Sequence, residues 1–205
     1  SRIRFLLGMA VVLALCQLGR AALDEPRGSV GWESSRNLSE TAYVAKLDQM
    51  KAKGYRPVDV EIAGGASRRY SVIWRRNTGK RGWRIHTKLT AAAFSKRWKE
   101  YKQKGFRIVD QESYVTGGKR FFAGIWIQNK EKLGWASFRN LTSKQFGDRF
   151  KEYSGKKYLP VDVEAYKAGA KFLYSVIWVQ NKDRLGWAIK RNLPQAQFKK
   201  TFDQM

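Results

Sequence analysis

The chain is poor in the residues that most often mark a reactive site. It has one cysteine, Cys16, so no disulfide framework can form within it. It has one histidine, His86, which excludes multi-histidine metal sites and any His-dependent triad repeated along the chain. Its 4 prolines and 18 glycines exclude collagen-like and proline-rich classes. Acids are scarce too, 17 against 41 lysines and arginines, for a formal net charge of +24. Yet 43% of the residues are hydrophobic and 14% aromatic, which is too much apolar surface for a disordered basic tail. A folded, strongly basic, aromatic-rich protein of 205 residues is left.

Residues 1–21 carry a targeting pattern. Arg2 and Arg4 precede an apolar run from Phe5 to Leu18, and Gly19 and Ala21 stand where a signal cleavage site wants small residues. The run is short of the ~20 apolar residues of a membrane span, so no stable span is expected after cleavage. Leu15 before Cys16 does not suit lipid attachment. The expectation is a secreted protein, extracellular or periplasmic, with a linker over 22–30.

The rest of the chain repeats. Gly-Trp stands at 31–32, 82–83, 134–135 and 186–187, spaced by 51, 52 and 52 residues. Ile-Trp recurs at 73–74, 125–126 and 177–178, and Arg-Asn-Leu at 36–38, 139–141 and 191–193. This self-similarity marks a repeat architecture. The units are 31–81, 82–133, 134–185 and a partial fourth, 186–205.

Within a unit the pattern predicts one helix and three strands. Ser39, Thr90 and Thr142 can cap helices over about 39–53, 90–104 and 142–154, and Pro194 suits the start of another over 194–205. Apolar residues then fall at i, i+4, i+7, as in Tyr43/Leu47/Met50, Phe94/Trp98/Tyr101 and Phe146/Phe150/Tyr153. Gly54 and Gly105 stop the first two helices, and Gly155 is expected to stop the third early. Tyr55–Ile62 and its copies alternate like a half-buried strand, and Tyr70–Trp74 and its copies give the second. The third strand begins at Gly-Trp. The fold class read is α+β: tandem repeats of ~52 residues, each one helix packed on a three-stranded antiparallel β-meander. On this reading Gly31–Asn37 is a third strand lacking its own first two.

The pattern Gly-Trp, Arg-Asn-Leu, two helical aromatics, Gly-Tyr-Arg-Pro-Val-Asp-Val-Glu and Tyr-Ser-Val-Ile-Trp resembles the tandem repeats of polyglycine hydrolase-type secreted proteins. In that family the repeats are attached to a β-lactamase-like serine hydrolase domain. The resemblance implies a repeat region whose parent protein continues C-terminally into such a domain, and it supplies no catalytic residue here.

Four features are candidates for chemistry. Asp59/Glu61, Asp110/Glu112 and Asp162/Glu164 are two apart on a strand, so each pair shares a face. A single pair could do acid–base work or hold a hard cation. Three equal pairs in a basic chain fit structural carboxylates better, bonded by Arg36, Arg139, Arg191 or backbone. Ser154 and Lys157 match the Ser-x-x-Lys nucleophile motif, but the other units have no equivalent. His86 aligns with Ser35, Phe138 and Lys190, so its column imposes no common chemistry. The repeated tryptophans either fill the core or offer stacking platforms. Their identical placement favours core, Trp98 included.

The charge carries the most functional content. Lys96, Arg97, Lys99 and Lys102 lie on one helix, and Arg75, Arg76, Lys130, Lys132, Lys182 and Arg184 are read onto hairpin loops. A repeated array of such patches suits an anionic extracellular polymer, whether glycan, cell-wall polymer or DNA. A basic surface that only keeps the protein soluble is the plain alternative. The expectation is a non-catalytic binding or positioning module with no cofactor and no metal, or the accessory region of a serine hydrolase. The rivals are a stand-alone nucleic-acid-binding protein and part of a hydrolase whose catalytic domain lies beyond residue 205.

Overall fold

The structure is a computed structural model that describes residues 2–4, 11–16, 31–65, 67–194, 197, 200 and 203. Near the N-terminus are strands β1 (Arg2–Arg4) and β2 (Val11–Cys16). The first repeat follows as β3 (Trp32–Leu38), α1 (Glu40–Ala52), β4 (Tyr55–Ala63) and β5 (Arg69–Arg76). The second is β6 (Trp83–Leu89), α2 (Ala91–Gln103), β7 (Phe106–Thr116) and β8 (Lys119–Gln128). The third is β9 (Trp135–Leu141), α3 (Ser143–Gly155), β10 (Tyr158–Ala168) and β11 (Lys171–Gln180), and β12 (Trp187–Leu193) comes after it. The chain divides into two compact units, 25–132 and the remainder.

The helices form where the caps predict. The Ser39, Thr90 and Thr142 hydroxyls each accept the backbone N–H three residues on, at 3.2 Å. Gln145 returns the bond to the Thr142 N–H, completing a capping box. The first two helices bury i and i+7 of their stripe and leave i+4 half-buried, whereas the third buries Phe146 and leaves Phe150 and Tyr153 half-buried. Tyr43 and Met50 are buried over Leu47, and Phe94 and Tyr101 over Trp98. Gly54 and Gly105 take φ of 76° and 75° after their helices. The third helix is not shortened at Gly155: it has the same 13 residues as the others, and Lys157 adopts φ 61° at the position of those glycines. The expected fourth helix over 194–205 and the linker over 22–30 lie mostly or wholly outside the described residues.

Sheet order corrects the meander. Each sheet runs β3–β5–β4, β6–β8–β7 and β9–β11–β10, with the hairpin's second strand central and all pairs antiparallel. The Gly-Trp strand therefore pairs inside the repeat that it opens, and β3 is not an orphan third strand. Its start is pinned there, because the Gly31 carbonyl accepts the Arg76 N–H at 2.8 Å. Gly82 with Gln128 and Gly134 with Gln180 repeat this bond. The loop after β5 does not fold back as a hairpin either. Asn77 grips Arg81 through both ends of its side-chain amide, at 2.9 and 3.0 Å, and leads the chain on to the next sheet. Asn181 does the same with Leu185.

The core of each repeat lies between helix and sheet. Trp74, Trp126 and Trp178, on the central strands, are wholly buried. Each indole removes about 150–250 Å² from water, worth several kcal/mol. Trp74 donates Nε1–H to Ser35 Oγ at 3.2 Å. Trp126 instead sits among Phe94, Tyr101 and His86, with ring centroids 5.3 to 6.0 Å away. A Cβ on Gly124 would lie 2.6 Å from that indole, so glycine stands there where the other repeats have Val72 and Val176. Trp178 stacks on Tyr153 at 5.5 Å. Of the remaining tryptophans, Trp83 and Trp187 pack against the core clusters, and only Trp32 plainly departs from the core expectation. Trp83, Trp135 and Trp187 are half-buried, Trp98 is half-buried beneath the Lys102 ammonium at 4.7 Å, and Trp32 is 69% exposed.

In the unit 25–132 the two repeats share a core. Val60 and Ile62 of β4 pack in one cluster with Ala123, Ile125 and Ile127, which point from β8 away from α2. In the other unit, β2 pairs antiparallel with β12, with a register shift between Lys190 and Leu193 like that between His86 and Leu89. The apolar run Phe5–Leu18 thus includes a strand in this sheet.

Lys157 gives a signed test of the backbone reading. An L-residue in the left-handed region costs about 1–2 kcal/mol, partly offset by the greater freedom of glycine in the unfolded chain. Lys157→Gly should therefore raise stability by about 0.5–1 kcal/mol in denaturant titration. A loss of stability would contradict it.

Candidate functional site

The strand carboxylates follow a bulge. The register slips between Pro57 and Asp59, between Ile108 and Asp110, and between Pro160 and Asp162. After the slip, Asp59 and Glu61 face away from the helix beside Ile73 and Ser71. Asp59, Asp110, Asp162, Glu112 and Glu164 are buried and Glu61 is half-buried. Asp110 accepts the Val60 N–H at 3.1 Å, so it ties β7 to the bulged strand of the preceding repeat. Ser175 donates to Glu164 at 3.4 Å. The buried cations Arg56 and Arg107 lie on the same strands.

Glu61 and Glu112 bring carboxylate oxygens within 4.8 Å of each other. Of the guanidinium groups expected at these acids, that of Arg191 is placed elsewhere. Arg191 donates to the Ser143 carbonyl and hydroxyl at 3.1 and 2.9 Å, with its guanidinium over Phe146 and Tyr174. Arg36 is exposed. Burial pulls Arg139 down to about 10, with Tyr166 as its electrostatic neighbour.

Ser154 and His86 are absorbed locally. The Ser154 hydroxyl bonds back to the Phe150 carbonyl at 2.7 Å, as helical serines do. His86 Nε2 lies 2.7 Å from the Tyr101 hydroxyl. Burial, then Arg97, lowers the His86 pKa. In the third repeat Phe138 stands in its place and packs edge-on against Tyr153 at 5.4 Å.

The basic residues separate into engaged and open groups. On α2, Arg97 pairs with Glu100 at 2.7 Å and Lys104 with the same carboxylate at 2.8 Å. Those two bonds, that from Lys104 first, hold Glu100 down to about 2. The triad recurs on α3 as Arg149, Glu152 and Lys156. Exposed pairs like these add little stability. Lys96, Lys99 and Lys102 are exposed, with Lys102 over Trp98.

Arg75 and Arg76 are not loop residues: they end β5 on opposite faces. Arg75 is the register partner of Trp32, and the Arg76 guanidinium lies 5.7 Å from the Tyr55 ring. Arg81 turns inward to Glu131, with one contact at 2.8 Å, and to the Gln128 carbonyl at 3.2 Å. Lys130 donates to the Gly79 carbonyl at 2.9 Å. These bonds staple loop 77–82 to loop 128–132. Lys80, Lys132 and Arg184 occupy equivalent left-handed positions of their loops, with φ of 45°, 50° and 52°. Lys132, Lys182 and Arg184 are exposed.

Arg69 escaped the sequence reading. It stands in a column with Phe121 and Leu173, and comparing the repeats column by column would have found it. Among the described residues no helix is long and apolar enough to cross a membrane.

The polyglycine hydrolase-like structural repeat matches the chain three times in tandem, over residues 29–77, 80–129 and 132–181. No curated protein matches it.

Asp110 provides the test of the structural role. Asp110→Ala leaves the Val60 N–H without its acceptor and should cost about 1–3 kcal/mol. Calcium should leave the melting temperature of the parent chain unchanged. A calcium-dependent rise, or an Asp110→Ala variant as stable as the parent, would point to another role.

Proposed function

Because the chain belongs to the polyglycine hydrolase-like structural repeat family, we propose that it is a secreted, non-catalytic repeat module that binds or positions an anionic extracellular polymer. The observation that carries this reading is the separation of charge from core. Acids are drawn into strand pairs and helix triads, while Lys96, Lys99 and Lys102 of α2 and Lys132, Lys182 and Arg184 of the loops stay exposed. A surface of that kind attracts a polyanion without reading its sequence. The N-terminal pattern of Arg2, Arg4 and the apolar run supports secretion. Attachment to a serine hydrolase domain remains part of the proposal through the family, with the repeats in the accessory role.

Salt dependence tests it. With about four backbone charges neutralised, affinity for heparin or DNA should fall about a hundredfold between ~50 and ~200 mM salt. Lys96→Glu with Lys99→Glu should weaken binding without lowering the melting temperature, since Phe94 and Tyr101 face the core from the other side of α2. Equal affinity at both salt concentrations, or stronger binding to a neutral glycan that survives high salt, would overturn the charge-based reading.

A further inference from the structure

The outward face of the first sheet differs from its copies in a directed way. On the central strands the residues pointing away from the helix are Arg69, Ser71, Ile73 and Arg75 in β5. In β8 they are Phe121, Ala123, Ile125 and Ile127, and in β11 Leu173, Ser175, Ile177 and Val179. Ile125, Ile127, Ile177 and Val179 are fully buried, and those of β8 are covered by the shared core of the two repeats. In the first repeat both ends of the row have become arginine. The neighbouring strand adds Trp32, opposite Arg75, and Ser34, opposite Ile73, where the second repeat has Trp83 and Ile85.

A sheet face that only needed solubility would be polar throughout. This one keeps its two apolar residues in the open: Trp32 is 69% and Ile73 41% exposed. The result is an apolar step bracketed by two cations, with a serine hydroxyl on the β3 side and, on the β4 side, Asp59 buried beside Ile73 and the half-buried Glu61 beside Ser71. We infer that this face, Trp32, Ser34, Arg69, Ile73 and Arg75, is a binding surface for an acidic glycan.

The inference rests on the polyanion reading above and names the polymer. A sugar ring presents C–H groups that pack on the indole and the isoleucine alike, and hydroxyls within reach of serine. Carboxylates along the chain meet the guanidinium groups, whose planar forks match them. Single-stranded nucleic acid is a poorer match, because successive bases stack on successive aromatic rings. Here one ring is followed by Ile73, and Arg69 replaces the aromatic that the second repeat has as Phe121.

The test titrates the full chain with polygalacturonate, a neutral dextran and poly-dT at low and high salt. Trp32→Ala and the pair Arg69→Ser/Arg75→Ser should each weaken polygalacturonate binding about tenfold, the loss of one good stacking or ionic contact. Their melting temperatures should stay near the parent value, because Trp32 is 69% exposed and Arg69 is exposed. Dextran should bind far more weakly than polygalacturonate. If Trp32→Ala binds polygalacturonate like the parent while Lys96→Glu/Lys99→Glu does not, the inference fails and the charge-based function stands. If no polyanion binds the parent, both fail. Tighter, Trp32-dependent binding of poly-dT would assign the face to nucleic acid instead. A concentration-dependent dimer abolished by Trp32→Ala would assign it to a second copy of the chain.

Discussion

Each repeat depends on one buried indole. Trp74, Trp126 and Trp178 sit at the same point of the central strand, under the helix, and the surrounding sequence adjusts to fit them. Ser35 accepts the indole N–H in the first repeat. In the second, Gly124 opens space and His86, Phe94 and Tyr101 close around the ring. In the third, Tyr153 lies flat on it. A helix of 13 residues is too short to be stable alone, so its apolar face has to find this cluster for the repeat to exist.

From that packing the division of charge follows. Once the helix and its sheet face are committed to the core, the acids are drawn into pairings, as Glu131 is by Arg81 in the loops. Some lie in the bulged strands, where Asp110 satisfies a backbone N–H of the neighbouring repeat. Others lie on helix faces, where Glu100 and Glu152 each hold two cations. The surplus of lysine and arginine is left to the exposed positions of helices, loops and the outer face of the first sheet. The same repeat thus has a covered outer face in β8 and an open one in β5, where Arg69 and Arg75 stand at the ends of the row.

Much of this was legible in the sequence. The helix starts were written in Ser39, Thr90 and Thr142, and the strand faces in the alternation of Tyr55–Ile62 and Tyr70–Trp74. Sheet order was not. Alternation says which residues share a face but not which strand lies alongside, and the short loop at Asn77 suits a hairpin as well as a step to the next repeat. The exposure of Trp32 was hidden for a related reason. The same residue type recurs at 83, 135 and 187, and only what stacks on each sheet decides its burial. The inward turn of Arg81 was not legible, because its partner, Glu131, lies 50 residues away. Lys157 hid the length of α3, since lysine seldom takes the backbone conformation that Gly54 and Gly105 announce.

Hydrogen exchange on Trp126→Ala tests the central claim most directly. Removing the indole should cost about 3–5 kcal/mol. It should strip amide protection from Ala91–Gln103 and lower protection in β4 and β5, which share the core of that unit. A variant that melts within about 1 kcal/mol of the parent, with α2 still protected, would contradict the claim that the buried tryptophan holds helix to sheet.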